Sequence, residues 1–446
     1  MTTPSMPTMT HADLRIDPQW LIPVEPAGQI LEAHALIVHN GRILDILPVH
    51  AADARYQVSE HQCLPGHALI PGLINLHTHA AMSLLRGYAD DLPLMEWLQG
   101  HIWPAERRWV TPDFVRDGTQ LACLEMLEGG ITCFNDMYFF PEATLQAATQ
   151  AGQRIASGLI VLDFPSAWAA DSDAYLQQGL AVRDRWLDNP LVNFCLAPHA
   201  PYSVSNRSFE KVATYSAQLD LPIHIHLHET LDEINQSLER YHQRPLERLH
   251  QLGLVGPQLI AVHATHLQAD EQSLLAEHGA AIAHCPSSNL KLASGIAPLA
   301  PMLAHGLTVG LGTDGAASNN RLDLWEEMRL AALLAKGTSS QAEAVPAHQA
   351  LAMATIHGAR ALGLDDRVGS LTMGKEADLV AVDLSGPETQ PCFNPISQLV
   401  YSAGRAQVSA VWIAGKAVVR GHRALTLDRD ALLARTHYWR ERLQGH

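Results

Sequence analysis

Hydrophobic residues in the middle of the chain occur in short runs that alternate with longer segments of helical periodicity. Between residues 71 and 371 these runs have the length of buried strands. The segments between them, such as 119–130 and 209–220, repeat apolar residues at helical spacing, and the first ends in two glycines, as helices often do. The eight predicted strands are Leu73–Leu76, Ile131–Asn135, Ile155–Leu162, Val192–Ala197, Ile223–Leu227, Leu259–Val262, Ala281–Ala283 and Leu307–Gly312.

This alternation predicts an α/β protein in which residues 71–371 form a parallel (β/α)8, TIM-like barrel. A doubly wound open sheet is the alternative. That fold places a glycine-rich phosphate-binding loop after its first strand, and no such loop follows Leu76. The barrel is therefore the favoured architecture.

The two ends of the chain have a different pattern, of short β-rich runs separated by turn signals. Asn40-Gly41 lies between two such runs as a hairpin turn does, and Gly415-Lys416 is placed in the same way near the other end. We predict one small β-sandwich domain built from both termini, residues 14–70 together with residues 372–446. Residues 1–13, which begin with a segment rich in Thr, Pro and Met, are predicted to be disordered.

Composition narrows the class of protein. The chain has 446 residues, 47% of them hydrophobic, and a formal net charge of −16 that is spread along its length. Without a run of Lys or Arg it offers no surface suited to nucleic acid or to an anionic membrane, and no apolar run is long enough to span a bilayer. Six scattered cysteines with no C-x-x-C, and a start that does not resemble a signal peptide, predict a cytoplasmic protein.

Histidine is the compositional oddity, with 25 residues, and several stand at the ends of predicted strands. His77 and His79 close the first strand, and residues two apart on a strand project to the same side, so both can bind one metal ion. The carboxyl ends of parallel barrel strands meet at one face. A third histidine from "HIHLHE" after strand five, with Asp314 after strand eight, would complete a zinc site that leaves one position for water.

Each of these signals has a plain structural alternative. Asp314 precedes a glycine, so it could be a turn residue. Cys285 could be a small buried apolar residue, as most lone cysteines are. His224, His226 and His228 cannot all be ligands, so at least one must be a hydrogen-bonded neighbour. The occurrence of potential metal ligands at five strand ends is nevertheless better explained by one shared site than by independent coincidence.

Six segments carry a family resemblance over most of the chain, from about residue 21 to residue 419. They are "PGLINLHTHAAMSLLRG", "HIHLHET", "AVHATHL", "HCPSSNLKLASGIAP", "VGLGTDGAASNN" and "GSLTMGKEADLVAVD". These segments resemble the motifs of the amidohydrolase superfamily and, within it, of the 5′-methylthioadenosine/S-adenosylhomocysteine deaminase family. The resemblance implies one Zn²⁺ per subunit, with Fe²⁺ or another divalent ion as the alternative, and a homo-oligomer of two or four chains. The implied metal ligands are His77, His79, His226 and Asp314.

The resemblance also implies the roles of the residues around the metal. Glu229 matches the proton-shuttling carboxylate, His263 the histidine beside the metal-bound water, and Asp314 the acceptor of that water's proton. Glu106 matches the glutamate that holds the ribose hydroxyls, and His199 a histidine that contacts the purine. The implied reaction is hydrolytic loss of the amino group from C6 of an adenine nucleoside. Strand four ends without a lysine, so members that bridge two metals through a carboxylated lysine are a poor match.

The segment after strand three bears on the substrate. Family members that use S-adenosylhomocysteine well tend to carry arginines there, whereas residues 155–182 contain no Arg or Lys and offer Leu162, Phe164, Pro165 and Trp168. We therefore predict that 5′-methylthioadenosine is preferred, with adenosine intermediate and S-adenosylhomocysteine weaker, because a charged carboxylate without a partner is costly to desolvate. Residues 90–104 are predicted to form a lid over the ligand, or to pack on the barrel rim or at a dimer contact, and both can hold at once.

Other functions remain open alternatives at this point. A related enzyme could act on guanine, 8-oxoguanine or a triazine, but Glu106 is useful only where there is a ribose to hold. Hydrolysis of an amide or cyclic amide is a further possibility, disfavoured in its dinuclear form by the absent lysine. A non-catalytic amidohydrolase-like scaffold is disfavoured because every ligand position and Glu229 are filled.

Overall fold

The structure, a computed structural model, describes residues 9–444, and its strands form two sheets. The first sheet begins with β1 (Thr10–Leu21), β2 (Leu31–Glu32), β3 (His34–His39), β4 (Arg42–Pro48) and β5 (Tyr56–Pro71). The barrel strands are β6 (Leu73–Thr78), β7 (Ile131–Tyr138), β8 (Arg154–Val161), β9 (Val192–Pro198), β10 (Ile223–Leu227), β11 (Leu259–His263), β12 (Ala281–His284) and β13 (Thr308–Leu311). The first sheet is completed by β14 (Leu379–Asp383), β15 (Val408–Ile413), β16 (Lys416–Arg420) and β17 (Arg423–Ala424).

The barrel confirms the predicted fold, because its eight strands are parallel and neighbour one another in chain order. It is nearly closed, since β13 lies beside β6 and the amide of Asp314 donates to the carbonyl oxygen of His77 at 3.0 Å. Close approach at this seam requires glycine at position 312, where a Cβ atom would lie 2.9 Å from the backbone nitrogen of His77. The seam therefore brings the residues after the first and last barrel strands together.

Most helices follow barrel strands and pack around the barrel, whereas the helix of residues 49–55 packs on β3, β4 and β5 of the first sheet. The helices are α1 (Val49–Arg55), α2 (Leu94–Trp97), α3 (Trp103–Trp109), α4 (Pro112–Glu128), α5 (Pro141–Ala151), α6 (Ser172–Trp186), α7 (Asn206–Leu219), α8 (Leu231–Tyr241), α9 (Pro245–Gln251), α10 (Ala269–Glu277), α11 (Pro286–Lys291), α12 (Leu299–Ala304), α13 (Ala316–Asn319), α14 (Leu324–Ser339), α15 (Ala347–Met353), α16 (Ile356–Ala361), α17 (Pro395–Tyr401) and α18 (Arg429–Gln444). Thr111 caps α4 and Ser205 caps α7, each by accepting a backbone N–H. These two helices contain the periodic segments singled out in the sequence.

Both termini contribute to the second sheet, as predicted. Its strand order is β17-β16-β15-β14-β5-β1-β3-β4, with β2 paired to β1, so it joins β14 from the C-terminal part to β5 from the N-terminal part. The predicted disorder of residues 1–13 is wrong for residues 10–13, which lie in β1 because Ala12 packs into a small core with Ile37 and Tyr56. Residues 1–8 of that prediction lie outside the described residues. No helix within residues 9–444 is long and apolar enough to cross a membrane.

Candidate active site

Four of the predicted side chains meet at the carboxyl-terminal face of the barrel. The Nε2 atoms of His77 and His79 each lie 3.2 Å from Asp314 Oδ1. The ligand atoms of His77, His79 and His226 lie within 4.8 Å of one another, and so do those of His77, His263 and Asp314. The structure therefore brings the four predicted metal ligands and His263 into one cluster.

Each of the three candidate histidine ligands is oriented by a hydrogen bond at Nδ1, the ring nitrogen that faces away from the cluster. His79 Nδ1 donates to the carbonyl oxygen of Met137 and His226 Nδ1 to that of His199, both at 2.6 Å. His77 Nδ1 is hydrogen-bonded to His224 Nε2 at 2.9 Å. In His79 and His226 the carbonyl partner fixes a proton on Nδ1 and turns Nε2, the nitrogen that would bind a metal, toward the cluster. His77 Nε2 also faces the cluster, 3.2 Å from Asp314 Oδ1.

Asp314 follows β13 in the left-handed region, with φ of 59°. Its Oδ2 accepts hydrogen bonds from the hydroxyls of Ser288 at 2.6 Å and Ser318 at 2.8 Å. Burial raises the pKa of Asp314, but the imidazoles of His77 and His79 against its carboxylate outweigh this effect and hold the pKa well below its usual range. The carboxylate is therefore ionised, and it is held in a strained backbone position by partners on two other segments.

This donor set fits one zinc ion. The ligand atoms of the three histidines lie within 4.8 Å of one another, Asp314 Oδ1 lies 3.2 Å from two of them, and the remaining polar atoms of these side chains are held by the protein. Nitrogen and oxygen ligands of this kind are typical of catalytic zinc sites. His77, His79, His226 and Asp314 are the residues that would hold the ion.

Glu229 lies beside the cluster, at the start of the segment that leads into α8. Its Oε2 is 3.7 Å from His263 Nε2, and its Oε1 accepts a hydrogen bond from Ser294 Oγ at 3.3 Å. Burial raises the pKa of Glu229, with His263 opposing and Asp314 adding to the rise. The carboxyl group therefore keeps its proton to a higher pH than an exposed glutamate, as a proton donor must.

His263 is fixed between Glu229 and a neighbouring loop. Its Nδ1 donates to the side-chain oxygen of Asn289 at 2.8 Å, so Nε2 is the nitrogen that faces Glu229 and the cluster. The residue has a φ of 72°, in the region that histidine seldom adopts. A strained conformation held by a specific hydrogen bond is typical of a functional position.

The cluster lies at the inner end of a cavity of about 710 Å³. Glu106, from α3, lies in the wall and accepts a hydrogen bond from the hydroxyl of Tyr138 at 2.7 Å; burial raises its pKa to about 7. His199 lies close to the cluster with its Nδ1 2.9 Å from Ser203 Oγ, and burial lowers its pKa to about 3. At neutral pH His199 is thus an uncharged ring, and Glu106 is a carboxyl group close to its midpoint.

The outer part of the cavity is mainly apolar. Its apolar lining comes chiefly from the helical segment of residues 94–109 and from the loop that follows β8. Trp103 from the first and Phe164 from the second approach each other, with ring centroids 6.1 Å apart. Of the alternatives for residues 90–104, the structure favours the lid, because five of these residues, Leu94, Trp97, Leu98, Ile102 and Trp103, line the cavity.

The sequence reading missed several residues that hold the site in place. Glu233 is buried, and its carboxylate accepts the backbone N–H groups of His228 and Glu229, each at 2.9 Å. The signal for it was present, because T-x-x-E at Thr230 is a helix-capping pattern. For Tyr138, Ser288 and Asn289 no spacing in the sequence pointed to a partner, since each contacts a residue far away along the chain. Ser318 was also missed, although it lies only four residues after Asp314.

Comparison with known proteins agrees with this geometry. The model of the amidohydrolase family matches residues 68–418. A protein of Teredinibacter turnerae named 5-methylthioadenosine/S-adenosylhomocysteine deaminase is 47% identical over 438 residues, which cover 98% of this chain and 99% of that protein. A protein of the same name from Saccharophagus degradans is 45% identical over 440 residues, with 99% of both chains covered.

The solved structures include a zinc-bound adenosine deaminase of Xanthomonas campestris. It superimposes with a TM-score of 0.97 at 48% identity, covering 98% of this chain and all of that one. The site geometry, the match to the family and these relatives lead to the same class of enzyme. The chain belongs to the amidohydrolase family, and within it is a metal-dependent hydrolytic deaminase.

Proposed function

We propose that the enzyme removes the amino group from the adenine ring of 5′-methylthioadenosine, giving 5′-methylthioinosine and ammonia. Adenosine and S-adenosylhomocysteine are weaker substrates in this proposal. The observation that carries it is the position of Glu106 in the wall of the same cavity that holds Glu229 and the metal cluster at its inner end. A carboxylate placed there can accept the two hydroxyls of a ribose while the base reaches the cluster. The names of the relatives support the same substrate class.

The chemistry follows from where each side chain holds a proton. Zinc bound by the four ligands would supply a water of lowered pKa as the nucleophile at neutral pH. Asp314 accepts the proton of the attacking water, and His263 orients that water through Nε2. Glu229 donates its proton to the ring nitrogen next to C6, which makes C6 electrophilic. The proton taken up by Asp314 is then relayed to the amino group, the C6–N bond breaks, and ammonia leaves. The hydroxyl proton that remains on C6 passes to the carboxylate of Glu229, which gives the 6-oxo product and restores the protonated glutamate.

The rest of the cavity accounts for the other parts of the nucleoside. His199 is uncharged and offers its free ring nitrogen to the purine, while the apolar outer wall around Trp103, Leu162 and Phe164 suits a thiomethyl group. Guanine, 8-oxoguanine and triazines have no ribose, so they would leave Glu106 paired with Tyr138 alone. A non-catalytic scaffold would have no use for the protonated Glu229 and the aligned imidazoles.

The ranking of substrates is measured by the ultraviolet change on deamination, with 5′-methylthioadenosine, adenosine, S-adenosylhomocysteine and guanine compared side by side. We expect the highest kcat/KM for 5′-methylthioadenosine and the lowest among the adenine nucleosides for S-adenosylhomocysteine. The physical reason is that residues 155–182 provide no cation for the carboxylate, which would lose hydration without gaining a partner there. Turnover of guanine alone would exclude the proposal, and S-adenosylhomocysteine as the best substrate would exclude the ranking.

Substitution of Glu106 tests the ribose contact. We expect Glu106→Gln to lower kcat/KM for 5′-methylthioadenosine about 10- to 100-fold, mainly through KM, because hydrogen bonds to an ionised acceptor are lost. With a pKa raised to about 7, Glu106 is ionised above this pH and neutral below it, so KM of the native enzyme should rise as the pH falls through about 7.

The matched control for this variant is Glu96→Gln, which changes an exposed carboxylate in the same lid segment. It should leave KM and its pH dependence as they are in the native enzyme. The pH dependence of KM should be absent from Glu106→Gln. If it persists there, another group holds the ribose.

Two further features remain predictions from the sequence. We propose a cytoplasmic enzyme that assembles as a homodimer or homotetramer, and light scattering of the purified protein measures the assembly.

A further inference from the structure

Besides histidines, the cavity has one basic side chain in its lining, an arginine, within the residues that the structure describes. Arg107 comes directly after Glu106 in α3, and its side chain is exposed at the cavity mouth. The lining also contains the carboxyl groups of Glu106, Glu229 and Asp314. An exposed arginine that lines the cavity is placed to meet an anionic group of a molecule that enters it.

The neighbouring cations around the lid are already engaged by the protein. Arg86 pairs with Glu125, and Lys291 donates to Asp90 at 2.7 Å. The guanidinium of Arg107, in contrast, has no ion pair or hydrogen bond with any group of residues 9–444. Arg107 is therefore the cation at this mouth that is free to bind an anion.

The acidic residues of the facing loop are also occupied. Asp163 accepts a hydrogen bond from Ser208 Oγ at 2.6 Å, and Asp171 caps α6 by accepting the amide of Ala174 at 2.9 Å. These carboxylates are thus bound to backbone and hydroxyl groups of their own surroundings. They do not supply Arg107 with a partner.

In the proposed binding mode, Arg107 lies beyond the ribose. The metal cluster takes the base and Glu106 the ribose hydroxyls, so the 5′ arm leads outward, between α3 and residues 164–167 of the loop after β8. We infer that Arg107 binds the carboxylate of an adenine nucleoside whose 5′ arm ends in an amino acid, as in S-adenosylhomocysteine. This inference rests on the proposed function and makes Arg107 a specificity-determining residue of the same site.

The strength of this contact follows from its exposure. A guanidinium presents a planar fork that suits a carboxylate, but an ion pair open to water is weak and is screened by salt. Arg107 therefore permits some use of S-adenosylhomocysteine without making it the best substrate. It also makes turnover of this substrate sensitive to ionic strength, whereas the neutral thiomethyl arm has no charge to screen.

The test compares kcat/KM for S-adenosylhomocysteine and 5′-methylthioadenosine in the native enzyme, in Arg107→Ala and in Arg107→Glu, at low and high salt. We expect the ratio of the two values to fall about fivefold at low salt in Arg107→Ala, and further in Arg107→Glu, which adds repulsion. High salt should lower the same ratio in the native enzyme and leave it unchanged in Arg107→Ala.

Arg108→Ala is the matched control, because Arg108 is the adjacent exposed arginine and lies over the ring of Trp109 at 4.7 Å from its centroid. It should keep the native ratio and the native salt dependence. A ratio that is the same in Arg107→Glu as in the native enzyme would overturn the inference while leaving the deaminase in place. If the native enzyme turned over neither nucleoside, the proposed function itself would be wrong, and the inference would be excluded with it.

Discussion

Replacement of Glu229 by glutamine should lower kcat for 5′-methylthioadenosine by about 10²- to 10⁴-fold, while the bound zinc is retained. General acid–base catalysis by a positioned group contributes about this much, and an amide cannot transfer the proton that the ring nitrogen requires. Glu229 is suited to this role because burial raises its pKa and because it lies 3.7 Å from His263. The measurement is steady-state deamination together with the zinc content of the same preparation.

The raised pKa of Glu229 also predicts how kcat depends on pH. The group is protonated to a higher pH than an ordinary glutamate, so its proton is available on the acidic side and is lost as the pH rises through the raised value. The alkaline limb of the kcat profile should therefore disappear from the small residual activity of Glu229→Gln.

The control for this experiment is Glu239→Gln, which changes an exposed carboxylate on α8, the helix that begins just after Glu229. It should retain native kcat, KM and zinc content. A Glu229→Gln enzyme that kept more than about a tenth of native kcat would show that another group protonates the ring.

The second large effect is expected from His226→Ala, which should bind zinc at least about 100-fold more weakly and lose deamination with it. Even partners that only orient ligands cost about 10- to 100-fold in affinity, and His226 is positioned to ligate directly, with Nδ1 donating to the carbonyl oxygen of His199. Zinc per chain after dialysis is measured by mass spectrometry. Added zinc should restore only part of the activity, because a coordinating nitrogen is missing.

His437→Ala is the matched control, since this histidine is exposed on α18 and lies outside the cavity lining. It should keep the native zinc content. Full zinc retention by His226→Ala would mean that His224 or His263 is the third nitrogen ligand and that the assignment of His226 is wrong.

The spacing of the three histidines in "HIHLHE" does not by itself identify which of them is the metal ligand. All three follow a spacing of two, which predicts the same side of an ideal strand. In the folded protein His224 lies behind the cluster and is hydrogen-bonded to His77, and His228 adopts a φ of 53° and accepts the backbone N–H of Leu246. Of the three, only His226 lies at the same level along the barrel axis as His77 and His79. This level is set by the stagger between neighbouring strands, which the spacing in one strand does not reveal.

The lid and the cavity mouth were less accessible to sequence reasoning. The segment of residues 90–104 was visible as a long aromatic connection, but its place over the cavity follows from packing against residues such as Phe164. The segment "PAERRW" gives no sign that Arg107 has a role in binding, since two adjacent arginines on a short helix are usually solvated. Which of them faces the ligand is set by the orientation of α3 on the barrel.

The sequence by itself determined the barrel, the sheet shared by both termini and the convergence of histidines and Asp314 on one face. It could do so because periodicity is local and because the carboxyl ends of parallel strands always meet. The tertiary structure decided which ring nitrogen faces the metal, that Ser288 and Ser318 hold Asp314, and that one arginine stands at the mouth. Apart from the local contact of Ser318 with Asp314, these features involve segments far apart in the chain, and their geometry is fixed only when the core is packed.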